Sequence, residues 1–95
     1  MTQTNTISRN GTLLEAEVDG EIVALNVESG TCYGFNSTAT RIWSMIEQPR
    51  SLDEICKQLV EQFHVQADTC RRDVIELLRE LQSDGLVKSD PPLAE

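Results

Sequence analysis

Apolar and polar residues alternate from Leu13 to Val18. Leu14, Ala16 and Val18 share one face and Leu13, Glu15 and Glu17 the other, the period of a half-buried strand. Asp19-Gly20 then signals a tight turn, because glycine accepts the positive φ that hairpin turns demand. Residues 21–27 return as a second strand whose apolar positions fall on both faces, as expected of a central strand covered more fully than its neighbours. After Glu28-Ser29-Gly30, residues 31–35 set the β-favouring Thr31, Tyr33 and Phe35 on alternate positions. Short turns between successive strands predict an antiparallel meander with the first and third strands at its edges. Glu15 and Glu17 guard the first edge, whereas the third strand carries neither charge nor proline.

From Asn36 the period changes to that of a helix. Ala39, Ile42, Trp43 and Ile46 form one apolar stripe over residues 37–46, capped by Asn36 or Ser37 and ended before Pro49. Ser51-Leu52-Asp53-Glu54 reads as a capping box, opening a second helix with Leu52, Ile55, Leu59 and Phe63 on its apolar face. A third and longest helix spans residues 68–84 with a stripe of Cys70, Val74, Leu77, Leu78 and Leu81, and Gly85 is placed as its left-handed cap. Leu86 and Val87 are expected to fold back on its last turn. Residues 1–10 are polar apart from Ile7 and Met1, and residues 89–95 are rich in proline and acid, so both ends are expected to be flexible around one domain over residues 11–88. The expected fold class is α+β: a winged-helix-like domain with a three-stranded antiparallel sheet followed by three helices.

Composition narrows the function. Ninety-five residues suffice for one core but leave little room for a deep catalytic pocket. A net charge of −8 repels nucleic acid and anionic membranes, and no apolar run reaches the ~20 residues of a membrane span. The start of the chain lacks the basic and apolar regions of a signal peptide, which predicts a cytoplasmic protein. Cys32, Cys56 and Cys70, with His64 as the one histidine, suggest neither a disulfide framework nor a metal site, and no cofactor is called for.

Three candidate chemistries each have a plainer reading. Glu76 and Glu80 are four apart on a helix, but Arg72 and Arg79 stand close enough to make them a solvated, ion-paired surface. His64 and Cys70 lack a third orienting group. Arg71 and Arg72 would open a DNA-recognition helix, yet residues 68–85 hold three basic and five acidic residues, a net of −2. A non-enzymatic binding module is the expectation, and a winged-helix DNA-binding regulator is the alternative. The uncharged third strand remains open to three occupants: the N-terminal segment, a second copy of the chain, or a foreign peptide.

Leu25-Asn26, Gly30-x-x-Tyr33-Gly34-Phe35-Asn36, Ile42-Trp43, Ser51-x-x-Glu54-Ile55, Asp73-Val74 and Gly85-Leu86 together resemble the PqqD-like family. Phe35 stands where such proteins often have Leu, and Ala39 where many have Gly. The resemblance, strongest to the discrete leader-binding proteins of lasso-peptide clusters, implies recognition of the leader of a ribosomally synthesised, post-translationally modified peptide. The leader would add as an antiparallel strand to Thr31, Cys32, Tyr33, Gly34 and Phe35 and pack against Val74, Leu77, Leu78 and Leu81, with Arg71 meeting leader acids. A leader peptidase or other maturation enzyme is the implied second partner, and dimerisation through the third-strand edge is left open.

Overall fold

The hairpin, the N-caps and the apolar face of the first helix form as the local pattern specifies, the other two helix faces do so in part, and long-range pairing adds a second sheet. The chain is described by a computed structural model covering residues 5–11, 13–91 and 93. In order, its elements are strands β1 (Thr6–Arg9), β2 (Leu14–Val18), β3 (Glu21–Asn26) and β4 (Thr31–Gly34), helix α1 (Ser37–Met45), strand β5 (Arg50–Ser51), helices α2 (Leu52–Phe63) and α3 (Ala67–Ser83), and strand β6 (Val87–Asp90). One antiparallel sheet has the order β2-β3-β4 and the other β5-β1-β6. The class is α+β, as expected.

The meander and its turns follow the sequence. Asp19 and Gly20 both take positive φ, at 54° and 81°, and join β2 to β3 in the register Val18↔Glu21 through Leu14↔Leu25. Asn36 caps α1 by accepting the Ala39 amide at 2.8 Å, and Ser51 caps α2 by accepting the Glu54 amide at 3.0 Å. The reciprocal half of the expected capping box is diverted, since the Glu54 carboxylate lies 3.4 Å from Arg50 Nη1. Gly85, at φ 78°, ends α3 as expected: its amide donates to the Gln82 carbonyl and that of Leu86 to the Leu81 carbonyl, which buries Leu86 on the last turn.

Three expectations are corrected. The N-terminal segment is not loose over Thr6–Arg9, where β1 pairs with both β5 and β6. Ile7 is fully buried, and Arg9 donates to the Trp43 carbonyl through Nη2 at 2.6 Å while its guanidinium lies 4.3 Å from the Trp43 ring centroid. The tail is tied down in part, because Ser89 and Asp90 pair with Ile7 and Thr6 and Leu93 is buried. The remaining terminal positions, 1–4, 92, 94 and 95, lie outside the described residues. Finally, β2 is exposed along its whole length, with Leu14, Ala16 and Val18 facing solvent. Its acidic face turns inward, where Glu15 accepts the Trp43 indole N–H at 2.9 Å and sits 3.8 Å from Arg9. The central strand β3 is accordingly covered on one face only: Ile22 and Ala24 are buried and Val23 is exposed.

One core joins these pieces, centred on Ile7, Ile42, Ile46, Leu52, Ile55, Leu59, Val74 and Leu78. Burying each such side chain contributes about 1.5–3 kcal/mol. Ile7→Ala is therefore expected to lower unfolding free energy by about 2–4 kcal/mol, read from urea denaturation. A loss of less than about 0.5 kcal/mol, the size of an ordinary surface substitution, would mean that β1 is not part of the cooperative fold.

Candidate functional site

β4 is the terminal strand of its sheet, and no strand covers its outer edge among the described residues. Thr6–Arg9 is thus not its occupant, since that segment is used in the other sheet. The Phe35 amide donates to the Ile22 carbonyl at 2.9 Å just past the end of the strand. Bonded and non-bonded positions alternate along an antiparallel pair. With Phe35 opposite Ile22, the bonded positions are Tyr33 opposite Ala24 and Thr31 opposite Asn26. Cys32 and Gly34, opposite Leu25 and Val23, then turn their N–H and C=O groups away from the sheet. Two donors and two acceptors stand on an uncharged edge.

The side chains of Tyr33 and Phe35 point to the core side. Phe35 is buried, with its ring centroid 5.8 Å from Trp43 and 6.2 Å from Tyr33. Tyr33 is half-buried, and its hydroxyl donates to Asp84 Oδ2 at 3.0 Å, which ties β4 to the end of α3. Burial, then the Asp84 bond and the charges of Asp84 and Glu80, raise the phenol above its ordinary pKa and keep it a donor.

Between β4 and α3 runs a trough made of two joined depressions. The smaller, about 310 Å³, is lined by Tyr33, Gly34, Phe35, Asn36, Ala39, Leu77, Glu80 and Leu81. The larger, about 410 Å³, lies beyond the end of β4 among Asn36, Thr38, Ala39, Ile42, Phe63, Val65, Asp73, Val74 and Leu77, among others. Asn36, Ala39 and Leu77 belong to both. The larger is walled mainly by carbon, as a site for apolar anchors requires, and the smaller by polar and apolar atoms in nearly equal parts.

The expected site residues divide accordingly. Thr31, Cys32 and Gly34 are exposed on the edge, whereas Phe35 has its amide on Ile22, its carbonyl on Thr40 and its ring in the core. Leu77 is the half-buried wall of the trough, with Val74 and Leu81 as its enclosed floor. Leu78 is fully buried and borders neither depression, so it belongs to the core. Arg71 is also absent from the trough: its Nη1 lies 2.7 Å from Asp53 Oδ1 on α2. Sequence reasoning missed Asn36, Thr38 and Val65 as lining residues and put Phe63 in the core, where it is instead exposed at the end of α2. Phe63-His64-Val65 held a signal, an apolar pair astride a polar residue where α2 ends on left-handed His64 at φ 54°.

The thiol–imidazole reading fares poorly against this geometry. Burial pushes the Cys56 thiol up to about 11 and raises that of Cys70 as well, whereas a nucleophilic thiol needs a lowered pKa.

A sequence profile of the family described as coenzyme PQQ synthesis protein D (PqqD) matches residues 21–87. The chain belongs to the PqqD family. Two solved structures share the fold of this PqqD-family chain. One is TbiB1 in complex with the TbiA(beta) leader peptide, with 29% identity over 83% of this chain and 93% of that one and a TM-score of 0.73. The other is a lasso peptide synthetase B1 complexed with the leader peptide, with 22% identity over 86% of this chain and 96% of that one and a TM-score of 0.74. No curated protein matches the sequence.

The arrangement sorts the three thiols. Cys32 is exposed on the open edge while Cys56 and Cys70 are buried, so a thiol-specific disulfide reagent at pH 8 is expected to modify Cys32 rapidly and the other two only on unfolding. Rapid modification of all three in the folded protein would contradict the described packing of α2 on α3.

Proposed function

We infer that this PqqD-family chain is a non-enzymatic recognition element that binds the leader of a ribosomally synthesised precursor by strand addition to β4. The observation that carries this reading is the open edge of β4, with the backbone of Cys32 and Gly34 directed outward, alongside a trough on α3 whose larger part is apolar. The two structural neighbours, each in complex with a leader peptide, support it. The chain would hold the leader in the cytoplasm for a separate maturation enzyme, in a lasso system a leader peptidase. Its contribution would be proximity, a raised effective concentration of the scissile bond, with the chemistry performed by the partner.

Magnitudes divide the labour between edge and trough. Ordering one leader residue costs about 1–2 kcal/mol, and each strand hydrogen bond returns about 0.5–1.5 kcal/mol net. The ladder therefore roughly cancels its own entropy cost and sets register. Side chains seated in the trough, at about 1.5–3 kcal/mol each, supply most of the surplus toward the roughly −8 kcal/mol of a micromolar complex. DNA binding through α3 has less to recommend it, because Asp73, Glu76 and Glu80 border the trough and would meet phosphate with like charge.

The test is fluorescence anisotropy of a labelled leader from the precursor encoded beside this gene, with a scrambled leader as control. Saturable binding of the true leader alone, at micromolar affinity or tighter, is expected. No binding to a folded protein would overturn the reading. Gly34→Pro and Cys32→Pro are each expected to abolish binding and leave the fold intact, since an outward amide can be lost without breaking the sheet. Unchanged affinity in both variants would refute strand addition. Leu77→Asp is expected to weaken binding at least tenfold with the fold retained, about the 1.4 kcal/mol of a partly lost anchor, whereas Leu78→Asp should unfold the domain, as circular dichroism would report. The opposite order of the two leucines would place the trough on the wrong face of α3.

A further inference from the structure

The side of α3 that borders the trough is acidic along its length. Asp73, Glu76, Glu80 and Asp84 recur at intervals of three, four and four residues, which at about 100° per residue keeps them on one stripe beside Leu77. Asp73 and Glu76 line the larger depression, Glu80 lines the smaller, and Asp84 holds the Tyr33 hydroxyl at the end of the trough. All four are exposed. The ion pairs expected between Glu76 and Arg72 or Arg79 do not form among the described residues. Arg71, Arg72 and Arg79 border a neighbouring depression with Asp68 and Ile75, which Glu76 shares without coming within ion-pair distance of them. No lysine or arginine lines either part of the trough.

We propose that this stripe selects a leader whose strand-pairing segment carries Lys or Arg at alternate positions, an inference that rests on the leader-binding reading above. Tyr33 meets Asp84 near the C-terminal end of α3, while Asp73 and Val74 lie beyond the end of β4 near Asn36, so α3 runs opposite to β4. A guest antiparallel to β4 therefore travels in the direction of α3. Side chains on one face of an extended guest recur about every 6.6 Å, and helix residues three or four apart rise about 4.5–6 Å. Every second guest residue comes level with a successive carboxylate. An apolar wall under an acidic rim suits lysine and arginine in particular: the methylene stem covers Leu77 while the charged head reaches Glu76 or Glu80. The net charge of −8 adds a long-range attraction for such a segment.

The experiment is selection of a displayed library of random dodecapeptides on the full chain, at about 0.05 M and about 0.5 M salt, between which the Debye length shrinks several-fold. At low salt the bound pool is expected to carry Lys and Arg on alternate positions at several times their input frequency, with the excess at least halved at high salt. Glu76→Lys combined with Glu80→Lys should turn the preference to Asp and Glu. Glu47→Lys combined with Glu61→Lys, the same change in net charge at residues outside the trough, should leave it basic. A pool that depends on Gly34 but is neutral in composition, or indifferent to the Glu76/Glu80 reversal, overturns this inference and leaves leader binding standing. A pool unchanged by Gly34→Pro, or no enrichment on the folded protein, overturns both.

Discussion

An antiparallel ladder uses every second residue of a terminal strand for its neighbour and leaves the others facing out, and the rest of this molecule depends on holding one such strand still. β4 has only four residues, too few to be stable alone. Phe35 fixes its far end: the amide bonds to Ile22, and the ring packs on Trp43. Thr40 completes the junction, its hydroxyl accepting the Ile22 amide at 3.0 Å and donating to the Phe35 carbonyl at 3.1 Å. The start of α1 is thereby stapled to the sheet. Trp43 extends the restraint by taking Glu15 on its indole nitrogen and Arg9 on its carbonyl and ring. One strand end thus gathers β1, β2, β3 and α1 and holds the edge of β4 in place, the preorganisation that strand addition would draw on.

The trough follows from the same junction. Because α1 begins at once after Phe35, Asn36 and Ala39 stand at the point where β4 ends and α3 passes. Tyr33 spans from β4 to Asp84 and sets the approach of helix to strand at one end. At the other end the left-handed turn at His64 leaves Phe63 and Val65 exposed around the larger depression. Under the proposed reading, edge, apolar wall and acidic rim would divide recognition into register, affinity and charge preference. Carboxylates at the exposed rim contribute more to choice of partner than to strength.

Local signals made much of this legible. The Asp19-Gly20 turn, the Asn36 and Ser51 caps, the Gly85 terminus and the apolar stripes are each decided within a few residues, and the uncharged edge of β4 could be read directly. What escaped is decided by contacts distant in sequence. Nothing near Ile7 announces that it will be buried, because its partners are Ser89 and Arg50. Leu14, Ala16 and Val18 look like a buried face, yet Trp43 and Arg9 draw Glu15 inward and turn that face out. Leu77 and Leu78 share one apolar stripe about 100° apart, and only the packing of α3 shows which of them meets the trough. Nor does the sequence alone reveal that Asp53 claims Arg71, or that Glu76 and Glu80 stand apart from Arg72 and Arg79.

The most direct test of the central claim is amide hydrogen exchange of β4, followed by NMR with and without saturating leader peptide. Outward amides exchange freely until a guest strand accepts them, whereas the inward amides of Tyr33 and Phe35 are already bonded to β3. Strong slowing at Cys32 and Gly34 on adding the leader, with Tyr33 and Phe35 protected before and after, is the predicted result. Leader binding that leaves Cys32 and Gly34 exchanging as in the free protein would contradict strand addition to β4.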